Sequence, residues 1–161
     1  MLLNSRVIGH GHFLPAKILE NNDFINFVDT SDEWIYTRTG IKQRHIALEN
    51  ELTSDLAVKA SQRALDSANL KSDDIDCIIL ATTTPDETFP STATKVQTQL
   101  KMRNIPSFDV QAVCSGFIYS LQIADSFIKC QKAKNILVIG AETLSKIVDW
   151  KDRRTCVLFG D

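Results

Sequence analysis

"IDCIILATT", residues 75–83, is a continuous apolar run rich in β-branched residues. A strand with one wet face alternates polar and apolar side chains. This run does not alternate, so it reads as a strand covered on both faces of a sheet. "NILVIG" (135–140) has the same character, and "SFDV" (107–110) reads as a further strand. Helical patterns separate them. Thr53 is placed to cap a helix in which Leu56, Ala57, Ala60, Ala64, Leu65 and Ala68 recur on one face. Pro90 suits the first turn of a helix running through Leu100. After "SFDV" another helix carries Phe117, Ile118, Leu121, Ala124, Phe127 and Ile128. Nearer the amino terminus, "RVIG" (6–9) is a short apolar run closed by glycine, and "IKQRHIA" (41–47) reads as a strand. "TSDEWIYTRTG" (30–40) reads as a short helix, with a capping box of Thr30 and Glu33 and a stop at Gly40. Alternating helices and doubly covered strands predict an α/β fold layered around a mixed, mostly parallel sheet.

Bulk composition narrows the function. A chain of 161 residues with 43% hydrophobic content can bury a core, and its length predicts a single domain over 1–161. Eighteen Lys and Arg stand against twenty Asp and Glu. That balance offers no electrostatic footprint for nucleic acid and no polybasic membrane patch. "MLLNSRVIGHGHFLP" lacks the apolar core of a signal peptide, and no apolar run is long enough to span a bilayer. The four cysteines, at 77, 114, 130 and 156, form no CxxC pair. Zinc spacing and a disulfide framework are therefore not expected, and a reduced, cytoplasmic protein is. His10 and His12 have no third ligand partner in the pattern; they read as loop residues, and no metal site is expected.

Cys114 raises the chemical question, because it sits in the turn between "SFDV" and the helix that follows. Cysteine is among the residues most often buried, and Cys77, Cys130 and Cys156 read as packing residues. A strand-to-helix turn differs, since unpaired N–H groups and the helix dipole favour an anion there. Such a place suits a thiolate nucleophile, and Gly116 allows a substrate to approach. Packing and nucleophile both remain open on these features alone. From Gln111 to Gln122 there is no charge at all, which predicts burial of the start of that helix.

Four blocks then carry a resemblance: "VDTSDEWIYTRTGIKQRHIA" (28–47), "ATTTPDETFPSTA" (81–93), "FDVQAVCSGFIYSLQIAD" (108–125) and "DRRTCVLFGD" (152–161). Together, in this order, they resemble the N-terminal half of the β-ketoacyl-acyl-carrier-protein synthase III family, the initiating condensing enzymes of bacterial fatty-acid synthesis. The resemblance implies a thiolase-like fold, built from two similar halves in αβαβα layers, each half contributing a five-stranded layer. It implies that Cys114 takes an acetyl group from acetyl-CoA and condenses it with malonyl-acyl-carrier protein to give acetoacetyl-acyl-carrier protein. No permanently bound cofactor is implied; acyl-CoA is a substrate.

By the same resemblance, Trp34 and Arg153 would sandwich the adenine of CoA, Arg38 would reach its phosphates, and Thr30 would contact it. Without it, Trp34 reads as a core residue, Arg38 as solvated and Thr30 as a cap. Phe89 corresponds to the residue that crosses a homodimer into the partner's acyl pocket, and Thr83, Leu144 and Leu158 to walls of that pocket; each of these could otherwise be plain core. Arg154, following Arg153, leaves open which arginine stacks, and exposed arginines here suit an acidic carrier protein. The family's catalytic histidine and asparagine belong to its C-terminal half. His10, His12 and His45 match no such motif, so the expectation is half an enzyme: associating, and inactive in condensation alone. The alternatives are a same-fold acyltransferase or hydroxymethylglutaryl-CoA synthase-like enzyme, or a non-catalytic half-domain that binds CoA or pairs with a partner chain. DEW…TRTGI favours the synthase III branch.

Overall fold

The run from Cys77 to Ala81 (β3) is the middle strand of a three-stranded parallel sheet in a computed structural model that describes residues 4–161. The first three residues of the amino-terminal stretch lie outside the described residues. β3 pairs on one side with Ser107–Val110 (β4) and on the other with Ile136–Gly140 (β5), Ala81 lying opposite both Val110 and Gly140. Every residue of β3 is buried. Its side chains alternate. Ile78 and Leu80 enter a cluster with Ala57, Leu65, Ala93, Val96, Leu137 and Ile139. Cys77 and Ile79 enter a smaller one around Ala124, flanked by Phe108, Phe127 and Val138. Each fully buried Ile or Leu contributes about 1.5–3 kcal/mol of apolar burial.

The first face is covered by Thr53–Ala68 (α2) and Thr92–Gln99 (α3), the second by Gly116–Lys129 (α4). This is the α/β layering expected. The α3 start differs from expectation: Ser91 is the N-cap, its hydroxyl accepting from the Thr94 N–H at 3.3 Å, so Pro90 precedes the helix rather than opening it. β5 differs too. Leu137 and Ile139 are buried toward α2 and α3, but Ile136 and Val138, facing α4, are only partly covered.

"RVIG" joins no ladder; Val7 is 80% exposed. The sheet of the described residues therefore holds three strands, not five. What holds the segment is α2. A Cβ on Gly11 would come within 2.4 Å of the Ala60 carbonyl oxygen, so only glycine lies this close. A cavity of about 830 Å3 is lined by this segment, by Ala64 and Leu65 of α2, by Leu121 of α4, and by Leu137 and Ile139 of β5.

These elements, with the described residues up to Phe13, form one compact unit over Thr53–Glu142. Leu14–Leu52 and Thr143–Asp161 form a second. In it Lys17–Glu20 (β1) pairs antiparallel with Gln43–Ile46 (β2), and Asp32–Thr39 (α1) packs Ile35 and Trp34 against Phe24, Cys156, Val157 and Trp150. Arg44 is buried, yet its guanidinium is satisfied: it donates to the Val157 carbonyl and to Asn21 Oδ1 and lies 4.7 Å from the Phe24 ring centroid. Gly40 ends α1 at φ 72°, a left-handed position that favours glycine.

Candidate functional site

Two anchors aim the turn that carries Cys114. Asp109, on β4, accepts from the first N–H groups of α3, those of Thr92 and Ala93, each at 2.8 Å. That carboxylate locks the strand to the neighbouring helix and satisfies donors the helix cannot satisfy internally. At the other end Gly116 opens α4, and a Cβ there would meet the Ala81 Cβ at 3.2 Å. The helix thus starts directly over the carboxyl end of β3, where ligands collect in open α/β sheets.

Between these anchors, Val113–Ser115 form a 3-10 turn with Cys114 at its centre, exposed. Cys114 therefore precedes the helix rather than lying in its first turn. Val113 has φ 49°, a left-handed conformation uncommon for a β-branched residue, and it is 64% exposed. No side chain caps α4, because the Ser115 hydroxyl makes no capping bond. Chemically, the arrangement presents a thiol at the mouth of a helix with solvent access. The other cysteines divide. Cys77 and Cys156 are buried, and burial pushes both thiols above the usual range. Cys130, read as a packing residue, is exposed, because it caps the end of α4 beyond the packed face.

The uncharged start of α4 is not buried. Ile118 is 63% exposed, and Phe117, Tyr119 and Leu121 are also exposed. Gly116, Ser120 and Ala124, small residues one turn apart, are the buried residues of the helix, and Ile123 and Phe127 pack partly covered against the sheet. Absence of charge identified a face without preference for water, and among the described residues no element covers it.

Thr83 and Phe89 belong to the same unit as Cys114. Phe89 is 87% exposed. The Thr83 hydroxyl is buried without a partner among the described residues, while its N–H donates to Glu142 Oε1 at 2.8 Å. Thr30, Trp34, Arg38, Arg153, Leu144 and Leu158 belong to the other unit. Leu144 is half-buried and Leu158 exposed. Ser31, not Thr30, caps α1, because its extended backbone points its hydroxyl at the Trp34 N–H, 3.1 Å away. Thr30 Oγ1 is instead left buried and unpartnered among the described residues.

Trp34 is half-buried and gathers two arginines: the Cζ of Arg38 lies 4.5 Å from its ring centroid, and that of Arg153 4.7 Å. Arg153 also donates to the Asp29 carbonyl at 2.8 Å. Arg154 turns away to Asp152, so of the adjacent pair it is Arg153 that meets the indole. The two groups expected to sandwich a base touch each other directly, at a spacing that leaves no room for one between them.

Sequence reasoning missed Glu142 and Asp109. Their signal was present: a carboxylate just past one apolar strand and another inside a second are both out of place unless they have partners.

The family profile described as 3-oxoacyl-[acyl-carrier-protein (ACP)] synthase III matches residues 108–161, the stretch that contains the cysteine turn. The chain is 62% identical over 158 residues to the β-ketoacyl-[acyl-carrier-protein] synthase III of Neisseria meningitidis serogroup C, covering 98% of this chain and 49% of that protein. With the synthase III of Rickettsia canadensis the identity is 55% over 159 residues, covering 99% and 50%. Among solved structures, the 3-oxoacyl-[acyl-carrier-protein] synthase III of Aquifex aeolicus VF5 superposes with a TM-score of 0.95 at 60% identity, covering 97% of this chain and 50% of that one. The chain spans about half the length of the relatives it matches.

Proposed function

Because this chain belongs to the β-ketoacyl-acyl-carrier-protein synthase III family and has its thiolase-like α/β fold, we propose that it supplies the acylation half of a condensing enzyme of fatty-acid synthesis. The observation that supports this reading is the exposed Cys114, presented in a turn at the carboxyl end of the sheet. Its thiolate attacks the carbonyl of acetyl-CoA, the tetrahedral intermediate collapses, and the CoA thiolate leaves. One thioester replaces another of similar energy, so the acyl group is held ready for transfer. Backbone N–H groups at the turn, that of Cys114 among them, stabilise the oxyanion. Decarboxylation of malonyl-acyl-carrier protein then gives a carbanion that attacks the acyl-Cys114 carbonyl. In the family that step draws on a histidine and an asparagine of the carboxyl-terminal half, and this chain spans about half the length of its relatives.

On this reading CoA lies along Thr30, Trp34, Arg38 and Arg153, and its adenine stacks on Trp34 once Arg153 lifts from the indole. Thr83, Leu144 and Leu158 line the acyl pocket, and the exposed Phe89 reaches the pocket of a homodimer partner. The protein works in the cytoplasm; among the described residues no helix is long and apolar enough to cross a membrane. A second reading, a non-catalytic half that pairs with another chain, draws on the uncovered α4 face.

Intact mass after incubation with acetyl-CoA separates the two. Full-length protein is expected to gain one acetyl group and Cys114→Ser none, because an alkoxide is far harder to form at neutral pH than a thiolate. Equal acetylation of both would remove Cys114 from the reaction, and no acetylation of either would leave the pairing half.

A further inference from the structure

We infer that Glu142 is a positioning residue for acyl-primer selection, acting through the loop that carries Thr83; the inference rests on the acyl-transfer reading above. β3 and β5 run parallel, and their ladder closes where the Ala141 N–H donates to the Ala81 carbonyl at 3.2 Å. Past that bond the Thr82 N–H still donates to the Val110 carbonyl at 3.2 Å, and the Glu142 carboxylate gathers the Thr82–Thr84 loop on its other side. Glu142 Oε1 accepts from the Thr83 N–H at 2.8 Å. Its Oε2 accepts from the Thr84 N–H at 3.1 Å, from Thr84 Oγ1 at 2.6 Å and from Thr82 Oγ1 at 3.3 Å. The far side of the loop is tied as firmly. The Thr53 hydroxyl donates to the Thr84 carbonyl at 2.6 Å, and the Asp86 carboxylate accepts from the Ser54 N–H at 3.0 Å.

One side chain in this clamped loop is left over. Thr83 Oγ1 is buried and has no partner among the described residues, although its two neighbours both place their hydroxyls on Glu142. A buried hydroxyl held out of the network that satisfies its neighbours is a free polar contact, fixed in place by backbone N–H groups rather than by its own bonds. The loop also begins at Ala81, the residue on which Gly116 seats the helix after Cys114. Glu142 therefore sets the loop on the strand end that also seats the Cys114 turn. A shift of the loop moves the wall that a bound acyl group would meet and leaves the thiol itself untouched.

The test uses the full-length protein and compares kcat/KM for acetyl-CoA with that for a branched four-carbon acyl-CoA. Glu142→Ala is expected to change this ratio by at least about fivefold, through KM more than kcat, as displacement of a pocket wall should. Glu142→Gln keeps a carbonyl acceptor for the Thr83 N–H and is expected to shift the ratio less. A ratio within about twofold of wild type in folded Glu142→Ala, whatever its thermal midpoint, overturns the role, since a merely structural carboxylate changes stability without changing primer choice. If Glu142→Ala does not fold, Glu142→Gln decides on that same limit. Wild-type protein that acquires no acyl group at all sinks the acyl-transfer reading and this role with it; an acylated wild type with an unmoved ratio sinks this role alone.

Discussion

The two faces of the parallel sheet are built from the same three strands and finished differently. Toward α2 and α3, eleven buried residues form one cluster, with Ile78, Leu80, Leu137 and Ile139 contributed by the strands. α2 turns its small and apolar residues inward and keeps Lys59, Arg63 and Asp66 on its outer side. Toward α4 only Cys77, Ile79 and Ala124 are buried as a cluster, and the helix leaves Phe117, Ile118 and Tyr119 exposed. α2 is the helix of a finished surface, charged where it meets water. The first half of α4 is apolar on both its inner and its outer side, as a helix is when something packs against both, while Asp125 and Lys129 pair on the outside of its second half. The face nearest Cys114 is thus the one this chain leaves open.

Mutations test that contrast most directly. Ile78→Ala on the finished face is expected to cost about 2–5 kcal/mol, read from urea unfolding. A cost near zero would mean that α2 and α3 do not cover the sheet in solution. The open face should betray itself in mass. Light scattering on the 161-residue chain is expected to show association, and Ile118→Lys to shift it toward monomer; a wild-type chain that is monodisperse and monomeric would show that solvent tolerates the face.

Thiol chemistry maps the same division. Iodoacetamide is expected to modify Cys114 and Cys130 quickly in the folded chain and Cys77 and Cys156 slowly, since burial both shields the latter two and raises their thiol pKa. Equal rates at all four would mean the core breathes faster than the reagent reacts.

At the amino-terminal edge of the sheet Asp76 ties β3 to the start of β5. The Asn135 N–H most of all, then the Lys134 N–H and Arg103, hold its carboxyl below the usual range, against burial that raises it. A depressed pKa in the folded state gives stability that is present above the unfolded value of about 3.9 and lost as pH falls through the folded one. Asp76→Asn should therefore flatten the acid limb of a stability-versus-pH curve, and an unaltered limb would assign it to another group. The smallest effect belongs to Ile118→Ala, expected within about 0.5 kcal/mol in monomeric chain. A cost approaching that of Ile78→Ala would show that the α4 face is covered after all.

Much of this architecture was legible in the residues. An unbroken apolar run such as Cys77–Ala81 has one reading, and Gly40 after a short helical pattern has nearly one. Choices between neighbours were not legible. Thr30 and Ser31 carry the same hydroxyl chemistry, and only the backbone angles decide which reaches Trp34. "RVIG" is a short apolar run, but joining a sheet needs a partner strand, which no local pattern supplies. The left-handed Val113 breaks every residue preference, so no preference could have found it. As for the site, Trp34 and Arg153 were expected on opposite sides of a base, and their direct contact, with no gap for one, is a matter of tertiary geometry.

Gly116, resting on the Ala81 methyl with no side chain of its own, carries one more consequence. Most helices in a core can creep as their side chains change, because each rotamer absorbs part of a substitution. Here the main chain at Gly116 meets one methyl group, which has no rotamer to change. The height of the Cys114 turn above the strands is then a dimension of the backbone, insensitive to drift in the surrounding core. Substitution elsewhere can remodel the pocket without detuning the thiol, whereas a methyl group at Gly116 would crowd the Ala81 methyl at 3.2 Å and press directly on the turn.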